Sequence, residues 1–323
     1  MRVSYTEAAE FLKSRSDILI LMHQSPDGDT LGCGFGLCRV LRLAGIKANA
    51  VCSDPVPPKY TFLSEWYEEQ QFEPKTIIAV DVADTKLLGK YSSYDGRIDL
   101  CIDHHISNTG YADRLLLGEN SAAACEVVYR LLKESGFEID GTAAMCLYTG
   151  IATDTGCFKF ESVSPETHRI AADLYEYQFP VPAARLNRNI FDIKNRSRIK
   201  AESILMNNLE ILYNGKCAIT YVTAEEQENE SVSSDDFDGI ASLPMQIEGT
   251  EIAVTIKEKA AERGTYKISV RSGEFADVSA ICAKFGGGGH IRAAGCTMTG
   301  ELADVRNKLA AACAEELKNV GLL

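Results

Sequence analysis

Apolar residues run in short unbroken blocks through the first half of the chain. Ile18 to His23 (ILILMH), Lys47 to Ser53, Thr76 to Ala83 (TIIAVDVA) and Asp99 to Asp103 (DLCID) each read as a buried strand. Segments of helical spacing lie between and after them. One runs from Asp29 to Ala44 and is stopped by Gly45; another begins at Ser121 (SAAACEVVYRLLKES), with Gly136 just past its end. A third covers Thr142 to about Ala152. Ser164-Pro165 opens a fourth, with Ser as N-cap and Pro in the first turn. This alternation predicts a mostly parallel α/β sheet with helices on both faces.

The second half differs. A helical pattern from about Asn195 to Tyr213 reads as a connector. Lys216 to Thr223 is a strand candidate. Glu225 to Asp238 holds seven acids and no Lys or Arg, and reads as a solvated helix start and loop. Glu251 to Lys257 and Thr265 to Arg271 suggest an antiparallel pair around the turn-like Ala261-Glu262-Arg263-Gly264. A helix from Asp277 to Lys284 feeds FGGGGHIRAAG, read as a glycine loop, and a last helix spans about 301–318. The organisation expected is a domain at 1–190, a connector helix at 191–214, and a smaller C-terminal α/β domain at 215–323.

The 323 residues suit two domains. The chain is 46% hydrophobic and 24% charged with a net charge of -13. Long duplex nucleic acid is a poor partner for so acidic a chain, because that affinity comes from Lys and Arg on many phosphates. The 11 cysteines show no CxxC spacing and sit mostly in apolar runs, as reduced, buried thiols of a cytoplasmic protein would. No apolar run approaches the roughly 20 residues that span a bilayer, and the polar N-terminus carries no visible signal peptide.

Charged side chains collect where the apolar blocks end. ILILMH runs into HQSPDGDT, placing His23, Asp27 and Asp29 just past a strand. Asp81 follows IIAV. Asp103-His104-His105 follows LCI, and Asp154 follows a helix in TGIATDTG. In an open parallel sheet, ligands bind outside the carboxyl ends of the strands, so these residues should converge. Crowded carboxylates raise each other's pKa, and divalent cations remove that conflict. Carboxylates with imidazoles and no thiolates suit manganese or magnesium, and the imidazoles favour manganese. Of the five histidines only His168 looks ordinary. Asp84 reads as either a helix cap or a group supporting the metal ligands from behind. Gly32-Cys33-Gly34-Phe35-Gly36 departs from a dinucleotide fingerprint and reads as close helix–sheet packing. The four glycines 286–289 allow backbone N–H groups to approach an anion, with Arg271 as a forked phosphate partner.

His-x-x-x-Asp-x-Asp, a later Asp at a strand end, Asp-His-His and Thr-Asp-Thr-Gly, in that order, resemble the four motifs of the DHH phosphoesterase superfamily. GGGGH followed by AAG resembles the DHH-associated domain. The whole is similar to oligoribonuclease/pAp phosphatases of that superfamily. The resemblance implies two divalent metal ions. His23, Asp27 and Asp81 would bind one; Asp29, Asp81, His104 and Asp154 would bind the other, with Asp81 shared. Asp103 would orient a histidine from behind the site, and His105 would face the scissile phosphate. The shared water, as hydroxide, would attack phosphorus. Gly286, Gly287, Gly288, Gly289 and His290 would close over the site from the second domain and contact phosphate or nucleoside, with Arg271.

The expected substrates are very short: oligonucleotides, linear dinucleotides or 3′-phosphoadenosine 5′-phosphate (pAp), yielding 5′-mononucleotides or phosphate. A cyclic-dinucleotide phosphodiesterase is the alternative enzyme, and a nucleotide sensor without turnover the alternative class. No membrane partner is expected, and a homodimer is compatible with the sequence.

Overall fold

A computed structural model describes residues 1–237, 239–240 and 242–323. Asp238, the last acid of the acidic segment, lies outside the described residues. Two compact units divide the chain at Met1–Ile193 and Lys194–Leu323. Among the described residues no helix is long and apolar enough to cross a membrane.

In the first unit helix α1 (Tyr5–Lys13) precedes β1 (Ile18–Leu21), α2 (Gly28–Leu43), β2 (Ala48–Val51), β3 (Thr76–Val80), β4 (Leu100–Asp103) and β5 (Arg114–Leu117). Helices α3 (Ala124–Ser135), α4 (Gly141–Asp154), α5 (Pro165–Tyr175) and α6 (Ala183–Asn187) follow. The strands are parallel, in the order β2-β1-β3-β4-β5. Strand order reverses between β1 and β3, the position where such sheets bind ligands.

Both sheet faces are buried, which is why the strands read as unbroken apolar runs. Ile18, Ile20, Ile78, Val80, Leu100 and Ile102 join the core formed with α1 to α4. Leu19, Leu21, Ile77, Ala79 and Cys101 face Leu88 of a 3₁₀ segment at Thr85–Tyr94, with Tyr111 packed alongside. Asp84 caps that segment by accepting from the Lys86 amide. The ladder stops at Leu21 and Val80, short of His23 and Ala83, because the chain turns out of the sheet there. Strand β5 was not foreseen from the pattern; its four residues pair beside β4. Gly32 and Gly36 face α4 and only Gly34 meets Met22, so this stripe packs helix on helix more than helix on sheet. A Cβ at Gly32 would lie 2.5 Å from the Cys146 carbonyl oxygen.

The second unit holds α7 (Arg196–Asn207), β6 (Glu210–Leu212), β7 (Cys217–Val222), α8 (Ala224–Glu230), β8 (Ile252–Lys259) and β9 (Glu262–Ser272). It continues with α9 (Val278–Ala283), β10 (Gly288–His290), β11 (Ala293–Thr299) and α10 (Leu302–Asn319). The sheet order is β10-β11-β9-β8-β7-β6, antiparallel except for β7–β8. Ile252, Val254, Ile256, Ile268 and Val270 form its core with Ile281, Leu309 and Leu317. The connector pattern is corrected here. The helix ends at Asn207, Asn208 bonds the Tyr221 carbonyl and Glu226, and residues 210–212 become an edge strand. Ala201, Ile204 and Leu205 pack on Val222 and Phe237, so α7 belongs to this unit. The glycine run is also corrected: Gly288–His290 form a strand paired with Ala293–Gly295, giving these extended backbone groups ladder partners.

Candidate metal centre

The residues at the strand ends of the first unit meet in one cluster. Asp81 is at its middle, 3% exposed, directly after β3. Its backbone is left-handed, with φ of 56°, a conformation that costs an ordinary residue about 1–3 kcal/mol and collects at functional sites. Its Oδ2 lies 3.6 Å from His23 Nε2, and its Oδ1 lies 3.7 Å from His104 Nε2 and 3.6 Å from His105 Nδ1. Oδ1 is buried without a hydrogen-bond partner.

Three donor sets meet around it: His23, Asp27 and Asp81; Asp29, His104 and Asp154; and Asp81, His104 and His105; in each the donor atoms lie within 4.8 Å of one another. Asp27 caps α2, its Oδ1 accepting from the Asp29 and Thr30 amides and lying 3.7 Å from His23 Nε2. His104 Nε2 is 3.5 Å from Asp154 Oδ2 and 3.9 Å from Asp29 Oδ2. In both histidines Nδ1 faces a backbone carbonyl, that of Gln24 at 2.7 Å and of Ser121 at 3.1 Å. That assigns the proton to Nδ1 and leaves Nε2 as the donor atom facing the acids.

Electrostatics follow from this crowding. Burial pushes Asp81 well above the usual carboxylate range, and Asp29 adds to the effect. Burial also raises Asp29, and burial with the Asp29 charge raises Asp154 to about 7. Burial opposes charge on His23, but Asp27 and Asp81 outweigh it and carry the imidazole up to about 10. The Asp103 hydrogen bond, against opposing burial, raises His105 to about 9. A strained, buried, unpartnered carboxylate among imidazole nitrogens and further acids fits a divalent cation, which would take the place of the proton on His23 Nε2, satisfy Oδ1 and offset the repulsion.

Asp103 itself is fully buried. Its Oδ1 accepts from the His104 and His105 amides and lies 2.8 Å from His105 Nδ1. Asn108, which sequence reasoning passed over, donates to Asp103 Oδ2 at 2.6 Å. Its position five residues after Asp103 was the available signal. Asp29 has a second task that no spacing reveals: it caps α3 from another helix, accepting from the Ala124 and Cys125 amides at 2.6 and 3.0 Å. Cys33 and Cys125, free and buried, stand 3.4 Å apart beside it, and burial raises both thiols. Gly150 of α4 admits this packing, since a Cβ there would collide with Cys125 Sγ and stand 2.8 Å from Asp29 Oδ1.

The remaining expected residues lie in the second unit. Arg271, Gly286, Gly287 and Gly288 line a groove of about 670 Å³ with Lys259, Lys267 and Ser269. Gly289 and His290 lie on β10; neither lines that groove, and His290 is exposed.

Residues 17–151 match the DHH family N-terminal domain, and residues 214–319 match the DHHA1 domain. A protein of Thermus thermophilus named bifunctional oligoribonuclease and PAP phosphatase NrnA is 30% identical over 98% of this chain and 95% of its own length. The chain belongs to the DHH family. The family name spells residues 103–105. A probable manganese-dependent inorganic pyrophosphatase of Streptococcus thermophilus is 26% identical over 47% of this chain and 51% of its own. An exopolyphosphatase-related protein from Bacteroides fragilis shares the fold, with a TM-score of 0.83 at 22% identity over 98% of this chain and 97% of that one.

Proposed function

We propose that this DHH protein is a manganese-dependent phosphoesterase of very short oligonucleotides, linear dinucleotides and pAp. The observation that carries the reading is the orphaned Oδ1 of Asp81 between two sets of acids and imidazoles. His23, Asp27 and Asp81 would hold one cation; Asp29, Asp81, His104 and Asp154 would hold the other. When bound, such a pair supplies Lewis acidity, an activated water and compensation of phosphoryl charge. The names of the Thermus and Streptococcus relatives support the substrate class and the metal.

The chain's own residues do the rest. Gln24 and Ser121 carbonyls fix the tautomers of His23 and His104. Asp103, anchored by Asn108, holds His105 cationic near neutral pH, where it can steady a phosphoryl oxygen or protonate the leaving one. A nearby cation would pull that pKa down toward neutrality, the range a general acid needs. Arg271, Gly286 to Gly289 and His290 are proposed to contact the substrate's phosphate or nucleoside.

Purified protein with manganese should release 5′-mononucleotides from di- to pentanucleotides and phosphate from pAp, and lose both activities in chelator. Faster hydrolysis of a cyclic dinucleotide than of its linear form would move the assignment to the cyclic substrate. Tight binding of every ligand with no release would make it a sensor.

A further inference from the structure

We infer that Arg130 is a positioning residue for the cation placed among Asp29, Asp81, His104 and Asp154. It acts through residues 121–125, which orient two of those ligands. The Ser121 carbonyl accepts from His104 Nδ1 at 3.1 Å. The Ala124 amide donates to Asp29 Oδ2 and the Cys125 amide to Asp29 Oδ1. One short segment therefore sets both the tautomer of the imidazole and the direction of the carboxylate. The inference rests on the phosphoesterase reading for the metal, and on the first unit alone for its geometry.

The segment has no cap of its own. Ala123 stands at the N-cap of α3 without a side-chain hydrogen bond, and Asp29 fills that role from another helix. Upstream, the Gly118 amide donates to the Asp103 carbonyl and the Ser121 amide to the Gly118 carbonyl. That turn is tight: a Cβ at Gly118 would lie 2.6 Å from Ser121 Oγ. Arg130 closes the far side. Its Nη1 donates to Ser121 Oγ at 2.8 Å and its Nη2 to Glu126 Oε2 at 3.1 Å. Glu126 is fully buried, and its Oε1 has no partner. A buried carboxylate is costly unless it is paired, and this one spends its pairing on fixing the guanidinium fork against Ser121. A planar fork reaches two acceptors in set directions, which the point charge of a lysine does not. The other contacts of Arg130 are longer and lead away from the ligands. Nη1 reaches the Tyr5 hydroxyl of α1 at 3.5 Å, and Nε lies 3.8 Å from the half-exposed Glu166 of α5.

The test is manganese titration calorimetry on the full chain, with Asp154→Asn marking which binding step belongs to this cation. Ser121→Ala keeps the carbonyl and the Glu126–Arg130 pair but loses the hydroxyl; Arg130→Lys keeps the charge but loses the fork. Each should weaken that step about 10-fold or more, the usual cost of losing a group that orients a metal ligand. The step at His23, Asp27 and Asp81 should not change. Tyr5→Phe removes a contact of Arg130 without touching Ser121 and should bind as wild type. In chelator, NMR spectra of protein with labelled histidines should show His104 losing its single Nδ1–H form in Ser121→Ala and Arg130→Lys. His23, held by the Gln24 carbonyl, should keep its own. Equal weakening of both steps, weakening of neither, an unchanged His104 tautomer, or an equal loss in Tyr5→Phe overturns the inference. Failure of the phosphoesterase reading is seen separately, as absence of hydrolysis by wild-type protein with manganese; the spectra in chelator decide the positioning role without turnover.

Discussion

Asp81→Asn should make the metal-free protein more stable and the manganese-loaded protein no more stable than that. Asp81 combines a left-handed backbone, full burial and an oxygen with no partner. A buried acceptor left unsatisfied costs about 1–3 kcal/mol. Asn tolerates the left-handed region better than most residues, carries no charge to repel Asp29, and its amide can donate to His23 or His104 Nε2. The first unit has 193 residues (Met1–Ile193); at about 2–4 °C per kcal/mol for that size, the variant should melt about 2–12 °C higher in chelator. Wild type should gain about 2.7 kcal/mol at a hundredfold excess over Kd, or about 5–11 °C, and the variant should lose that gain. The pH dependence has a definite sign. Asp81 and Asp29 are raised above their ordinary value of 3.8, and Asp154 to about 7. Raised acids bind protons more tightly when folded, so their stabilisation is full below about pH 4 and is lost as pH rises through the folded values. Metal-free wild type should therefore lose stability between about pH 4 and 8, and Asp81→Asn should lose less. Calorimetry with and without manganese at several pH values reads all of this. A variant that melts below wild type in chelator, or keeps the full manganese shift, would refute the reasoning.

Asp154→Asn should abolish turnover while leaving the melting temperature in chelator at or above that of wild type, because the side chain serves the cluster and not the core; wild-type rates would remove it from the centre. His290→Ala should raise KM for short oligonucleotides with manganese stoichiometry unchanged, as read by titration calorimetry, and an unaltered KM would take β10 out of the binding surface. Gly150→Ala should drive a methyl into Cys125 Sγ and Asp29, costing about 1–3 kcal/mol. That is about 2–12 °C in melting temperature, together with weaker manganese binding as Asp29 is displaced.

The cluster was legible because its chemistry is local in the chain. Apolar runs named the strands, and the acids and imidazoles at their ends could only be exposed at one edge of a parallel sheet. Hence Asp27, Asp29, Asp81, Asp103, His104 and Asp154 were found by position. The pairing of Lys257 with Lys267 was not legible, since the two are interspersed with acids along the chain and meet only through strand register. Asn208 and the short β6 misled the helical reading for the same reason: a ladder partner overrode local spacing.

By itself, then, the sequence determined which acids and imidazoles stand at the ends of the strands and helices and which element each one ends, because periodicity and burial are properties of neighbouring residues. Tertiary structure alone decided that Asp81 would be strained and unpartnered, that Asp29 would cap a helix 95 residues away, and that carbonyls of Gln24 and Ser121 would fix two tautomers. Those outcomes depend on where distant backbone dipoles come to rest, and only packing sets that.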